Sequence, residues 1–264
     1  MKNLHFAYLM TIGFDAPVTK HSYSLKCCPL TNERQKVENL TVTVNGKEVR
    51  TTDTDVYGNI LISGAIPEAH TSFEVIASGE VQTGLDICES YDSEIARSYI
   101  YKHFTAMTFP GEKLTDVFKK SDIKIIETPY DRALYLFRLT SGLIKYQKGV
   151  TDISTTAEQA LSGGHGVCQD YAHIMLALCR MAGLPCRYVV GMMLGEGESH
   201  AWTEVLCRGV WYGFDPTNNK LVDDNYIKIS CGRDYHDCTV NKGVFYGFAN
   251  QHQSINVSVI ERNE

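Results

Sequence analysis

Apolar and mostly polar or small residues alternate from the start of the chain, placing Leu4, Phe6, Tyr8, Met10, Ile12 and Phe14 on one side. A period of two is that of a strand with one buried face. Lys2 and the apolar run behind it invite comparison with a leader peptide, but no small-residue cleavage site follows, so a first strand is expected. Asp15-Ala16-Pro17 predicts a turn, alternation resumes from His21 to Cys27, and Pro29 ends it. Val37 to Val44 closes on Asn45-Gly46, a residue pair suited to a two-residue hairpin turn. Tyr57-Gly58-Asn59 leads into Ile60 to Ile62, and Thr71 to Gly79 supplies a further strand. Short strands punctuated by Gly, Asn and Pro predict an antiparallel β-sandwich over residues 1–86, with no catalytic spacing in it.

From residue 87 the pattern changes towards an α+β arrangement. Asp92 to Phe104 suits a helix with Ile95, Tyr99 and Phe104 inward, broken by Pro110-Gly111. Asp131 to Tyr146 predicts another, with Leu134, Phe137, Ser141 and Ile144 near one face. A third follows Gly163-Gly164-His165-Gly166-Val167-Cys168, where Tyr171, Ile174, Met175, Leu178 and Ala182 recur at helical spacing until Gly183 and Pro185 stop it. Residues 87–264 are therefore expected to hold linker helices and a second, catalytic domain.

That third helix carries the candidate chemistry. Cys168 falls at its N-terminus, where unpaired N–H groups and the helix dipole favour a thiolate. Gly166 and its neighbours leave room for a substrate backbone. By contrast, Cys179 inside the helix and Cys186 in the next strand suit buried structural thiols. Downstream, Ser199 to Val205 and Val210 to Asp215 form two strands about Arg208-Gly209. A two-residue turn pairs Cys207 with Val210 and sets Trp202 opposite Asp215. His200, Trp202 and Asp215 then share one face, His200 diagonal to Asp215 and within reach of a carboxylate–imidazole hydrogen bond. Cys168, His200 and Asp215 supply a nucleophile, a base and the group that orients the base. The Cys168 N–H is the natural first oxyanion donor, with Tyr146 and Gln147 as candidates beside it. Trp202 is either a cleft wall or core. Gly191 to Ser199, with Glu196 and Glu198, is expected as a solvated loop bordering the cleft.

Composition narrows the alternatives. The 264 residues carry a formal net charge of −6, and the 25 Lys and Arg form no basic stripe, which argues against nucleic acid as a partner. No apolar run approaches the roughly 18 residues of a membrane span. Nine cysteines, scattered through segments with helix and strand patterns, fit free thiols in a reducing cytoplasm better than a disulfide scaffold. Zinc is their main rival use, through His165 and Cys168 or through Cys231, His236 and Cys238. Neither set gives a paired C-x-x-C knuckle, so no metal and no cofactor is expected.

The stretches TDISTTAEQALSGGHGVCQDYAHIMLALCRMAGLPCRYVVG, SHAWTEV and WYGFDPTNN resemble the transglutaminase-like superfamily, with Cys168, His200 and Asp215 in that family's chain order. Phe14-Asp15-Ala16-Pro17-Val18 and Asp55-Val56-Tyr57-Gly58-Asn59 are similar to the N-terminal domain of bacterial members, which are usually described as cysteine proteases. The resemblance implies a β-sandwich followed by a papain-like catalytic domain, and a thioester passed to water or to an amine. Hydrolysis of a peptide, protein or small amide is the leading expectation. Amine transfer by the same triad is the alternative, and a binding module with a decayed triad the third.

Overall fold

The opening alternation becomes β1 (Lys2–Leu25), a strand of 24 residues, in a computed structural model that describes residues 1–85 and 98–262. Leu4, Phe6, Tyr8 and Met10 are fully buried, as the period of two requires. The turn expected at Asp15-Ala16-Pro17 is absent. The strand continues, and its register against the neighbouring strand shifts between Gly13 and Val18. Pro17 has no N–H to donate, so it sits where the ladder is already interrupted and the strand bends.

The following strands are β2 (Gln35–Val44), β3 (Lys47–Glu48), β4 (Asp53–Thr54), β5 (Ile60–Ile66) and β6 (His70–Thr83). Asn45 and Gly46 both take positive φ, 47° and 73°, and turn β2 into β3 as expected. Beyond them come α1 (Glu112–Lys120), α2 (Pro129–Ser141), β7 (Lys145–Tyr146), α3 (Ala157–Gly163), β8 (His165–Gly166) and α4 (Cys168–Met181). The chain closes with β9 (Cys186–Met193), β10 (Gly195–Gly197), β11 (His200–Cys207), β12 (Val210–Asp215), β13 (Lys220–Leu221), β14 (Tyr226–Gly232), β15 (Asn241–Tyr246) and β16 (Gln251–Glu261).

Hydrogen bonding joins the first group of strands and the last into one curled antiparallel sheet of nine. Its main order is β10-β16-β1-β6-β2-β3, with β15 and β5 on the second half of β1 and β4 on β5. The first half of β1 pairs with β6 and β16, the second with β5 and β15, so one long strand carries the sheet round its bend. The expected division near residue 86 lies outside the described residues. Past it, the chain returns: β10, β15 and β16 complete the first sheet.

A second antiparallel sheet, β13-β12-β11-β9-β14, packs on α4. Every residue of α4 from Asp170 to Arg180 is buried, so this helix is the axis of the second half. One continuous apolar cluster runs from Phe6 and Tyr8 of β1 to Ile174 and Met175 of α4.

Two helix expectations change. Of Asp92 to Phe104, residues up to 97, including Ile95, lie outside the described set. Ser98–Lys102 is a short 3₁₀ turn, and Tyr99 and Phe104 face outward, 66% and 37% exposed. The helix expected to reach Tyr146 ends at Ser141, because Gly142 is its C-cap and the chain then enters β7. Its start is better fixed: the Thr128 hydroxyl accepts the Asp131 N–H, and Pro129 occupies the first helical position.

Candidate active site

The turn before Cys168 is built by local chemistry. Gly164 ends α3 in the left-handed region at φ 70°, a conformation that glycine adopts without strain. His165 and Gly166 then pair in parallel with Lys145 and Tyr146. Asp170, at the third position of α4, accepts the Val167 N–H at 2.7 Å and the Thr151 hydroxyl at 2.7 Å through Oδ2. A Cβ on Gly166 would lie 2.6 Å from that same oxygen. Gly166 is therefore required by the packing of Asp170. Cys168 is held half-buried at the first helical position, where its N–H has no intrahelical acceptor and the helix dipole favours negative charge.

The hairpin opposite has the expected register. Arg208 and Gly209 both take positive φ, 51° and 84°, and the pairs run from Cys207 with Val210 to Thr203 with Phe214. One step further, Trp202 faces Asp215 and His200 lies diagonal to it. The reach across that diagonal is made: His200 Nε2 and Asp215 Oδ2 are 2.8 Å apart. Cys168 and His200 line the same two clefts, and the nearby sulfur helps raise the His200 pKa. With Nε2 committed to the carboxylate, Nδ1 is the nitrogen left for the sulfur.

The electrostatics follow from this enclosure. Burial alone would lower the His200 pKa, but the hydrogen bond to Asp215 and the nearby Cys168 sulfur outweigh it and carry the value up to about 9. The Asp215 side chain is fully buried, which taken alone raises its pKa; hydrogen bonds from His200, Asn218 and Tyr226 bring it below the usual carboxylate value instead. The imidazole is thus biased towards its charged form and the carboxylate stays ionised.

Two of those supports have little or no signature in the sequence. Asn218 Nδ2 donates to Asp215 Oδ2 at 2.7 Å, while the backbone N–H groups of Thr217 and Asn218 donate to Oδ1 at 3.1 and 3.3 Å. The Asp-Pro-Thr-Asn run signals such an Asx-type turn. The Tyr226 hydroxyl donates to Oδ2 at 2.9 Å from β14, which no local pattern predicts. Burial, then the adjacent Asp215 charge, push the Tyr226 pKa far up, so it remains a donor.

The other candidate residues divide. Tyr146 lines a cleft beside Cys168, and burial followed by the neighbouring sulfur raises its phenol pKa. Gln147 lines a different recess with Thr151 and His165, away from the sulfur. Trp202 is 1% exposed in a cluster with Val189, Tyr226 and Cys231. Its ring stacks behind the imidazole at 6.4 Å and 28°, so it backs His200 and lines neither cleft at Cys168. The expected loop from Gly191 to Ser199 is partly strand, with Glu196 paired to Ser258 of β16. Cys179 and Cys186 are buried. Among the described residues no group of three or more His, Cys, Asp or Glu is placed to hold a metal ion, and no helix is long and apolar enough to cross a membrane.

Comparison with known proteins places these features in context. Residues 120–216, which include Cys168, His200 and Asp215, match the transglutaminase-like superfamily core, and residues 4–82 match the bacterial transglutaminase-like N-terminal region. An uncharacterized protein of Mycobacterium leprae is 27% identical over 263 residues, covering 89% of this chain and 90% of its own. An uncharacterized protein of Mycobacterium tuberculosis is 38% identical over 117 residues, 38% of this chain and 37% of its own. The solved structure of a "Putative Cysteine Protease" from Cytophaga hutchinsonii superposes with a TM-score of 0.81 over 100% of this chain and 91% of that one, at 20% identity. That likeness is one of fold.

Proposed function

Because this chain joins a bacterial transglutaminase-like N-terminal region to a transglutaminase-like core, we propose that it is a cysteine-nucleophile hydrolase cleaving a peptide or other amide bond through a thioester on Cys168. The observation that carries the reading is His200, bonded to Asp215 at 2.8 Å and lining both clefts together with the Cys168 sulfur. In this reading the imidazole accepts the thiol proton and the sulfur attacks the amide carbonyl. The oxyanion forms beside the Cys168 N–H, at the positive end of α4. The imidazolium then gives its proton to the departing amine, leaving the acyl group on sulfur. Water completes the cycle: His200 takes its proton as oxygen attacks the thioester, and the thiolate leaves. Asp215 keeps its charge throughout, holding the ring in place and stabilising its cationic form.

Amine transfer by the same residues is the second reading, favoured by one feature: a second cleft, lined by Glu196 and Glu198, also reaches the sulfur and can hold a cationic amine. Acid quenching during turnover of a peptide and amide mixture, followed by mass spectrometry, tests the main proposal. An acyl adduct on the fragment containing Cys168 is expected, lost in Cys168→Ala and much reduced in His200→Ala. Hydrolysis that survives Cys168→Ala would overturn it. Added primary amine recovered in product in preference to water would select transfer.

A further inference from the structure

Two depressions meet at Cys168 and His200, and their charge differs. One, of about 700 Å³, lies between a face of the nine-stranded sheet and the second half of the molecule. Ile12 of β1, Gly243 of β15 and Gln253 of β16 wall it on the sheet side. Its basic side chains are Lys242, His236, His21 and His200, and it has no carboxylate among the described residues. Carboxamides at Gln169, Gln251, Gln253 and Asn241 add to the polar lining, beside Ser199 and Thr239. The other cleft, of about 720 Å³, carries Glu196 and Glu198. Its one lysine, Lys148, is already paired with Glu198 at 3.0 Å, so Glu196 is not neutralised there.

In a chain with 31 acidic against 25 basic residues, a large cleft free of carboxylates is a local reversal of the overall charge. Lys242 donates to the His236 carbonyl at 2.8 Å and, among the described residues, forms no ion pair. Its charge is available to a ligand. The sheet also offers an edge: β10 pairs with β16 at residues 257–259, and residues 251–256 have no described strand on that side. An extended backbone can lie there, with side chains directed to the lysine and the carboxamides.

Resting on the hydrolase reading above, we infer that the sheet-walled cleft binds the acidic portion of an extended peptide. Substrate carboxylates sit on Lys242 and the Gln and Asn side chains, and the scissile amide is delivered to Cys168. Walls of low polarizability strengthen such a local field relative to open solvent. The N-terminal region thereby becomes part of the substrate site.

The test uses the full chain with Cys168→Ala as a binding trap and a pair of fluorescent peptides, one rich in Asp and Glu, its twin with Lys in their place. Anisotropy is expected to show tighter binding of the acidic peptide, weakened by added salt. Adding Lys242→Glu to the trap should weaken that binding by about fivefold or more, whereas Lys36→Glu, an equal change in net charge on the far strand β2, should leave it within about twofold. Lys242→Gln gives an intermediate value if charge is the cause. Equal or tighter binding of the basic twin overturns the inference, as does an equal loss with Lys36→Glu. The two proposals fail separately. Acidic binding without any Cys168-dependent cleavage removes the hydrolase and leaves the cleft's preference standing. Cys168-dependent cleavage without acidic preference removes the preference alone.

Discussion

The pairing of His200 with Asp215 has a thermodynamic consequence that pH can read. His200 rises from an ordinary 6.5 to about 9 in the folded chain, against the opposing effect of its burial. At about 1.4 kcal/mol for each tenfold change in proton affinity, that difference is worth about 3 kcal/mol of folding stability. Its side chain is 13% exposed and that of Asp215 is 0% exposed, so solvent screening removes little of it. The lowered Asp215 pKa reflects this contact together with the Asn218 and Tyr226 donors, and lies well below the range over which His200 titrates. Because the folded form holds the proton more tightly, the contribution is complete below about pH 6.5 and fades as pH rises through about 9. Urea unfolding of the wild type and of His200→Gln, from about pH 6 to about pH 10, isolates it. The wild type should lose about 3 kcal/mol more than the variant over that range. Parallel losses in both proteins would refute the reasoning.

Other outcomes follow from neighbouring contacts. Tyr226→Phe removes one donor from a buried carboxylate and should cost about 1.5–3 kcal/mol in urea unfolding, while the NMR titration of His200 moves to a different midpoint. Gly166→Ala drives a methyl group into the Asp170 carboxylate, 2.6 Å away; a loss of about 1–3 kcal/mol and slower modification of Cys168 are expected. Glu204 accepts from Arg187 at 2.6 Å and from Lys228 at 2.9 Å in a buried cluster. Glu204→Gln should therefore destabilise by about 3–5 kcal/mol, measured by chemical denaturation, without altering the rate of Cys168 alkylation.

Much of the site was legible because its parts are set by short-range rules. A two-residue Arg-Gly turn admits one register, so facing residues on β11 and β12 could be counted before any coordinates. Glycines ahead of a helical period fixed Cys168 at the start of α4. The limits have physical causes as well. β15 and β16 pair with a strand more than two hundred residues away, and no local pattern encodes that return. Tyr226 reaches Asp215 only because β14 and β11 both flank β9. Trp202 shares a face with His200, as alternation requires, but alternation does not say whether that position meets a cleft or another ring. Pro17 has the composition of a turn, whereas the long strand absorbs it at a bend.

The central claim is that His200 and Asp215 keep the Cys168 sulfur in its reactive form. The rate of iodoacetamide alkylation at Cys168 near neutral pH, followed by mass spectrometry of its fragment, tests this most directly. Alkylation of Cys168 much faster than of the other cysteines in the wild type, and strongly slowed in His200→Ala, is expected. Equal rates at Cys168 in the two proteins would contradict it.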